Sequence, residues 1–323
     1  MKKLSILFII LFLAFACKQE EISIERVELQ PKFWMDQFCD TTFFSDIKFM
    51  YAYRDLLYVS DFTRNQVMVL NDGVLVATIS SIGQGPGELI GASSLVVRND
   101  TIYVHDAVRR HLTVFYKNNY LRDIKIPVGS SGLTNFGLSG NRAIVTDFQP
   151  PHSLAFVDLY TGEVTNFGQM FEFGSPVKNK HRNHRHIHVQ NPFIYAISKN
   201  QPIIERYDLQ GNLVDIYDYS NIEEVTQRLA FIKQQPDEER SVFSLVEKSY
   251  LRDNKLYLLL ITVDDNDRPQ SNKILEIDVS RTMRATRILE LKKGGWIRSF
   301  CVLSDAIWVF QPRNTVLIKY ELP

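Results

Sequence analysis

Short runs of apolar residues recur along the chain after its first two dozen positions, and each run ends at a polar or turn-forming residue. The recurring unit is rich in β-favouring residues and often contains an aromatic one. Its copies begin about 41 to 62 residues apart, and the shorter of these periods are typical of a four-stranded propeller blade. The copies occupy residues 57–61, 102–106, 143–147, 194–198, 256–260 and 307–311.

A second apolar run follows most copies after six or seven positions and ends at a turn such as Asn71-Asp72-Gly73. Four strands joined by hairpins make one blade, so the sequence predicts an all-β fold, a six-bladed β-propeller. The last blade, residues 296–322, has room for only three strands. The alternating segment 22–29 predicts an N-terminal strand that supplies the missing outer strand and closes the ring.

One segment follows a helical period instead. Ile222, Val225, Leu229 and Ile232 fall at helical spacing within residues 221–235, and a proline follows directly. We therefore expect one short helical insertion between blades four and five, outside the ring, with these four side chains packed against it.

The N-terminus has the parts of a secretory signal: two lysines, an apolar stretch at residues 4–13 and small residues before Cys17. The stretch is too short for a membrane span, which needs ~20 apolar residues. Residues 14–17 resemble the lipobox of bacterial lipoproteins, which implies cleavage before Cys17 and a membrane anchor through lipid. The expected division is residues 1–16 as signal peptide, 17–21 as lipidated cysteine and tether, and 22–323 as propeller.

Lys18 follows the lipidated cysteine, where an Asp would indicate retention in the inner membrane. The resemblance therefore implies the outer membrane, on its periplasmic or cell-surface side. Beyond Cys17, only Cys39 and Cys301 remain; they are either two separate thiols or one bridge, and no spacing typical of a metal site is present.

Charge excludes one class of partner. The chain has 37 basic and 37 acidic residues, so nothing indicates the basic excess of a nucleic-acid-binding face. The lysines and acids look scattered, as on an ordinary surface.

The blade phrases resemble known repeats. Residues 59–70 resemble the core of the NHL repeat, and residues 81–89 resemble its glycine-rich linker. Together with the lipobox, they resemble the TolB-like six-bladed propeller lipoproteins. The resemblance implies a binding or scaffold role for an envelope protein, peptide or glycan, with no catalytic residues. Gly83, Gly85 and Gly87 are expected to be structural linker residues, because no helix or lysine follows as a phosphate loop requires.

Four histidines lie within residues 181–188, and cationic residues are interleaved with them. In a strand, His184, His186 and His188 would share one face, opposite Arg185. With Arg182, these residues are the candidate ligand-binding set, on the inner strand of blade four and facing the channel or its rim. Three readings remain open: a ligand-facing strip, a metal site, or a solvated loop without function.

Asp61, Asp106 and Asp147 occupy equivalent positions of the repeat. A ring of carboxylates is conceivable, but Asp at a strand end commonly accepts hydrogen bonds from its own turn. No cofactor is expected. The alternative is a metal-dependent hydrolase or lyase with a divalent ion in the central channel.

Overall fold

The structure, a computed structural model, describes residues 24–39, 42–127 and 132–323. Six sheets, five of four strands and one of five, form the blades and confirm the six-bladed propeller. From inner to outer strand, blade one is β5 (Ile47–Tyr53), β6 (Leu56–Asp61), β7 (Gln66–Asn71) and β8 (Val74–Thr78). Blade two is β9 (Ala92–Arg98), β10 (Thr101–Asp106), β11 (His111–Tyr116) and β12 (Asn119–Lys125).

The remaining blades continue this order. Blade three is β13 (Gly137–Ser139), β14 (Arg142–Gln149), β15 (His152–Asp158) and β16 (Val164–Gln169). Blade four is β17 (Arg185–Gln190), β18 (Phe193–Ser198), β19 (Ile203–Asp208) and β20 (Leu213–Asp218). Blade five is β21 (Val246–Arg252), β22 (Lys255–Val263), β23 (Pro269–Asp278) and β24 (Arg284–Leu291). Blade six begins with β25 (Ser299–Leu303), β26 (Ala306–Gln311) and β27 (Val316–Glu321).

An N-terminal strand closes the ring, but it is not the predicted segment. Blade six is completed by β2 (Pro31–Met35), which pairs antiparallel with β27. The alternating residues form β1 (Glu25–Leu29), which pairs parallel with β24 and widens blade five to five strands. Alternation predicts one buried face and does not choose between two neighbouring sheet edges, so the sequence could not separate these pairings. A two-stranded ribbon, β3 (Gln37–Cys39) and β4 (Thr42–Phe43), leads into blade one.

Apolar side chains from facing blades form clusters between them, which is how the alternating strands bury their surface. The largest cluster joins blades five, six and one across the closure and contains Trp308, Phe310 and Cys301. Cys301 is a free, fully buried thiol, and burial raises its pKa. The structure therefore does not contain a bridge to Cys301; the Cys39 side chain lies outside the described part.

Two short helices interrupt the blades. Glu223–Lys233 confirms the predicted insertion: Ile222 and Val225 are buried, and Leu229 and Ile232 pack on the same cluster between blades four and five. The other helix, Pro176–Arg182, precedes blade four and was not predicted.

The sequence does carry a signal for that first helix. Ser175 accepts a hydrogen bond from the backbone of Lys178, and Pro176 stands in the first turn, where its missing N–H costs nothing. Within the described residues, no helix is both long enough and apolar enough to cross a membrane.

All inner strands run in one direction, so the channel has two distinct ends. We call the end where inner strands begin the strand-start mouth, and the end where they turn back the hairpin mouth. The connections between blades that the structure describes in full reach the strand-start mouth, and they include both helical insertions around blade four. Lys178 and Arg182 of the first helix pair with Asp237, which follows the second helix, at 2.7 and 2.5 Å.

Candidate functional site

The histidine-rich segment enters the channel wall at blade four. His186 and His188 lie on the inner strand β17, and His184 directly precedes it. His186 is fully buried, and its Nδ1 accepts a hydrogen bond from the backbone N–H of Asn135 at 3.3 Å. The His184 ring meets the edge of Phe148, with ring centres 5.0 Å apart. The segment is therefore not a solvated loop.

The two candidate arginines lie elsewhere and are already engaged. Arg185 points to the opposite face of β17, where it is fully buried and forms an ion pair of 2.6 Å with Glu205. Its other two nitrogens donate to oxygens of Asn183 and Gln169. We therefore exclude Arg185 from the channel site.

Arg182 acts outside the channel as well. Its Nε donates to the backbone oxygen of Ser241 at 2.9 Å, and its terminal nitrogen pairs with Asp237. It joins the first helix to the loop after the second helix, so it shapes the strand-start mouth and has no role in the channel wall.

A polar bridge from three blades crosses the channel midway. His188 Nε2 lies 2.7 Å from the Ser249 hydroxyl, and the Asn135 amide nitrogen lies 3.4 Å from the same Nε2. The Asn135 amide also donates to the backbone oxygen of Ser249 at 3.0 Å. Blades three, four and five are thereby tied together around the channel axis.

The half of the channel towards the hairpin mouth holds a cavity of about 180 Å³. The inner strands of blades one to five contribute to its wall, and most of the lining residues are apolar types. Tyr250 closes one side: its hydroxyl accepts from the backbone N–H of Ala52 at 3.0 Å and donates to the oxygen of the same residue at 3.3 Å. Among the lining residues are Tyr51, Val97, Asn135, Leu138, His188 and Tyr250.

Burial keeps the three imidazoles neutral. It lowers the pKa of His184 to about 4 and that of His188 to about 3. The pKa of His186 is lowered as well, first by burial and then by the charges of Lys199 and Lys248. An imidazole without water or a carboxylate beside it holds no proton near neutral pH, so these histidines supply no positive charge to the channel.

Lysines supply the positive charge instead, and the sequence reading missed them. Lys199 and Lys248 are 8% and 7% exposed, close to His186 at the strand-start mouth. The sequence placed the lysines on an ordinary surface, whereas these two are buried. A lysine near the start of an otherwise buried inner strand, as in Val246-Glu247-Lys248, was the available signal.

The geometry at the linker glycines is compatible with the structural role predicted for them. Gly83 has a φ of +153°, and a Cβ there would lie 2.0 Å from the Glu88 carboxylate. The same carboxylate accepts the backbone N–H of Gly85 at 2.7 Å. At Gly87, with a φ of +79°, a Cβ would lie 2.9 Å from Tyr120. An acid of the chain itself therefore occupies this loop.

Two of the three repeated aspartates accept hydrogen bonds from the backbone of adjacent turns. Asp61 accepts from the backbone of Arg64 and, at 2.9 Å, from Ser45, which leads into the inner strand. Asp106 accepts from Val108 and Arg109, and from Ile90 at the start of its own blade.

Asp147 accepts instead from the Asn166 side chain at 2.9 Å. Among the residues that the structure describes, no three His, Cys, Asp or Glu side chains lie close enough to share one metal ion. The metal-dependent alternative thus gains no candidate ligands from this part of the chain.

Comparison with known proteins shows the fold and nothing finer. A protein of the DUF4221 family from Bacteroides vulgatus aligns with a TM-score of 0.60 at 11% identity, over 92% of this chain and 98% of that one. A protein from Bacteroides fragilis aligns with a TM-score of 0.58 at 13% identity, over 92% and 99%. A streptogramin B lyase aligns with a TM-score of 0.54 at 10% identity, over 90% and 98%.

No family model and no curated protein matches the chain. The resemblance to NHL repeats and TolB-like lipoproteins therefore stays a prediction. What the structural comparisons establish is that the chain has the β-propeller fold of these solved proteins.

Proposed function

We propose that this protein is a lipid-anchored binding module of the bacterial cell envelope, whose channel receives one end of a protein, peptide or glycan partner. The channel carries the proposal. Propeller channels are concave and rigid, and pockets with a few convergent polar groups in an apolar wall are the usual form of a binding site. Here the bridge of Asn135, His188 and Ser249 supplies those groups.

The size of the cavity limits what enters it. Drug-sized ligands occupy roughly 300–1,000 Å³, whereas this cavity measures about 180 Å³. It therefore suits a side chain, a chain end or a small group better than a whole ligand. The rest of the partner would contact the hairpin mouth, which this half of the channel adjoins.

The anchor rests on the sequence, because Cys17 and its signal lie outside the described residues. A protein of similar fold from Bacteroides fragilis is described as exported, which supports export of this chain. The outer membrane is the proposed location, since Lys18 is not the residue that retains lipoproteins in the inner membrane.

Fractionation tests the anchor. Cys17→Ser should leave the protein unprocessed or soluble, because several acyl chains at ~0.8 kcal/mol per buried CH₂ are what would hold it on the membrane. If the variant still sediments with membranes after salt washing without detergent, the lipid anchor is wrong.

Native mass spectrometry of the protein purified from membranes tests the channel. We expect a bound molecule in the unaltered protein and its loss in Asn135→Leu, which removes the amide from the bridge. Asn119→Leu changes an exposed hairpin of blade two and is the matched control. Retention of the molecule by Asn135→Leu would place the binding site outside the channel.

A further inference from the structure

The strand-start mouth contains more positive charge than the fold uses. Lys199 donates to one acceptor, the backbone oxygen of Glu247 at 3.5 Å. Lys248 donates to the backbone oxygen of Leu133 at 3.3 Å and rests over the Phe49 ring at 3.6 Å. An ammonium has three donors, and neither lysine forms an ion pair among the described residues.

Two further cations stand beside them. Lys48 and Arg298 share one carboxylate, Asp46, at the long distances of 3.9 and 3.8 Å. Lys48 also lies 3.2 Å from the centre of the Phe62 ring. Cations that rest on aromatic faces and share a distant acid are poorly neutralised.

These groups are close enough to repel one another. Lys199, Arg298 and Lys48 all act to lower the pKa of Lys248, after the larger effect of burial. Against these four cations, the acids that act on them are Asp46 and Glu247. Among the described residues, the mouth therefore holds two more basic groups than acids, in a largely buried setting.

His186 adds a neutral donor to the same place. Its Nδ1 accepts the Asn135 N–H, so the neutral ring carries its proton on Nε2. Nε2 is buried and makes no hydrogen bond within the described residues. The backbone oxygen of Glu247 raises the pKa of His186 but lies outside hydrogen-bond geometry with Nε2. A buried donor without an acceptor is rare in native proteins.

We propose that the strand-start mouth binds a small oxyanion group, a carboxylate or phosphate, between the ammonium groups of Lys199 and Lys248, with Lys48 and Arg298 at the rim and His186 Nε2–H as a neutral donor. Burying unpaired charges costs stability, and charge-assisted hydrogen bonds to an oxyanion recover that cost. This inference rests on the proposed binding function and names the chemical class that the strand-start mouth of the same channel binds.

Titration of the full mature chain in detergent with inorganic phosphate tests the inference, with acetate as a singly charged second probe. Sodium chloride at equal ionic strength separates binding from screening. We expect phosphate to bind saturably and to raise the melting temperature as its concentration rises. Lys248→Met and Lys199→Met should each weaken phosphate binding at least about tenfold. Lys125→Met, which removes an exposed lysine of blade two, should not.

Two further readouts separate a binding role from a structural one. Without phosphate, Lys248→Met should raise the melting temperature, because it removes a buried unpaired charge and keeps most of the apolar stem. Glu247→Gln should strengthen phosphate binding, since it removes a competing acid without emptying space. A lower melting temperature together with unchanged affinity would make Lys248 a structural residue and overturn the inference.

Failure of this inference differs from failure of the proposed function. If phosphate and acetate do not bind, but the native molecule still depends on Asn135, only the oxyanion class is wrong. If phosphate binds through both lysines and no molecule is found in the channel, the oxyanion site stands without a natural partner.

Discussion

The two faces of β17 hold buried charge in opposite ways. Towards blade three, Arg185 meets Glu205 at 2.6 Å, and Tyr207 donates to the same carboxylate at 2.8 Å. Towards the channel, Lys199 and Lys248 lie near His186, and no carboxylate of the described residues contacts either lysine. A matched pair stabilises only its own fold, whereas an unmatched set of cations leaves donors for another molecule. The difference separates the structural arginine from the lysines that we assign to binding.

Breaking the ion pair between Arg185 and Glu205 should lower the free energy of unfolding more than any other change. Arg185→Met would leave Glu205, 3% exposed, buried without its cation. The expected loss in the free energy of unfolding is about 3–5 kcal/mol, measured by urea denaturation. The double variant with Glu205→Gln should recover part of that loss, because no uncompensated charge remains. A loss below about 1 kcal/mol would mean that water reaches this pair and that the two faces do not differ.

The second-largest effect should come from low pH, which destabilises the protein through the histidines on the channel face of β17. Burial depresses the pKa of His184 to about 4 and of His188 to about 3 in the folded protein, against about 6.5 in an unfolded chain. Between these values the unfolded state binds more protons, so stability is complete above pH ~6.5 and falls as the pH falls towards 4. We expect a loss of at least about 2 kcal/mol over that range.

Thermal unfolding in a pH series measures this slope. His188→Gln should reduce it, because the amide keeps a polar contact with Ser249 but does not titrate. His152→Gln, in the second hairpin of blade three and outside the channel, is the control. An unchanged slope in His188→Gln would show that the buried imidazole is not the group that acid protonates.

Part of this comparison could be predicted from sequence. The recurring runs predict six blades, and alternation after Arg185 predicts that His186 and His188 share a face. Both follow from a period of two along a strand, which is a local property. Which sheet edge β1 joins depends on contacts that are distant in sequence, because two outer strands offer similar pairing edges.

The charges at the mouth depend on contacts between blades. Lys48, Lys199 and Lys248 are far apart in sequence and meet only because three blades converge on one axis. No spacing in the sequence records that convergence, nor that Glu205 rather than a ligand neutralises Arg185. Burial of each lysine follows from its place near the start of an inner strand or in the turn after β18, which the repeat predicts only approximately.

The smallest expected effect concerns the polar bridge between the two halves of the channel. Ser249→Ala removes the hydroxyl that lies 2.7 Å from His188 Nε2. The Asn135 amide keeps its bond to the Ser249 backbone oxygen, so the blades stay connected. An imidazole that loses one of two polar contacts should cost about 1–2 kcal/mol of unfolding free energy.

Ser299→Ala is the matched control for that change. It removes another buried inner-strand hydroxyl, one that donates to the backbone oxygen of Ile47 at 2.7 Å and touches no histidine. Phosphate affinity should stay within about twofold in both variants, because neither hydroxyl is among the donors assigned to the oxyanion. If Ser249→Ala weakened phosphate binding as strongly as Lys248→Met, the bridge and the mouth would form one site. The separation of the channel into a charged end and a neutral end would then be wrong, because the ligand would reach past His186 to the cavity.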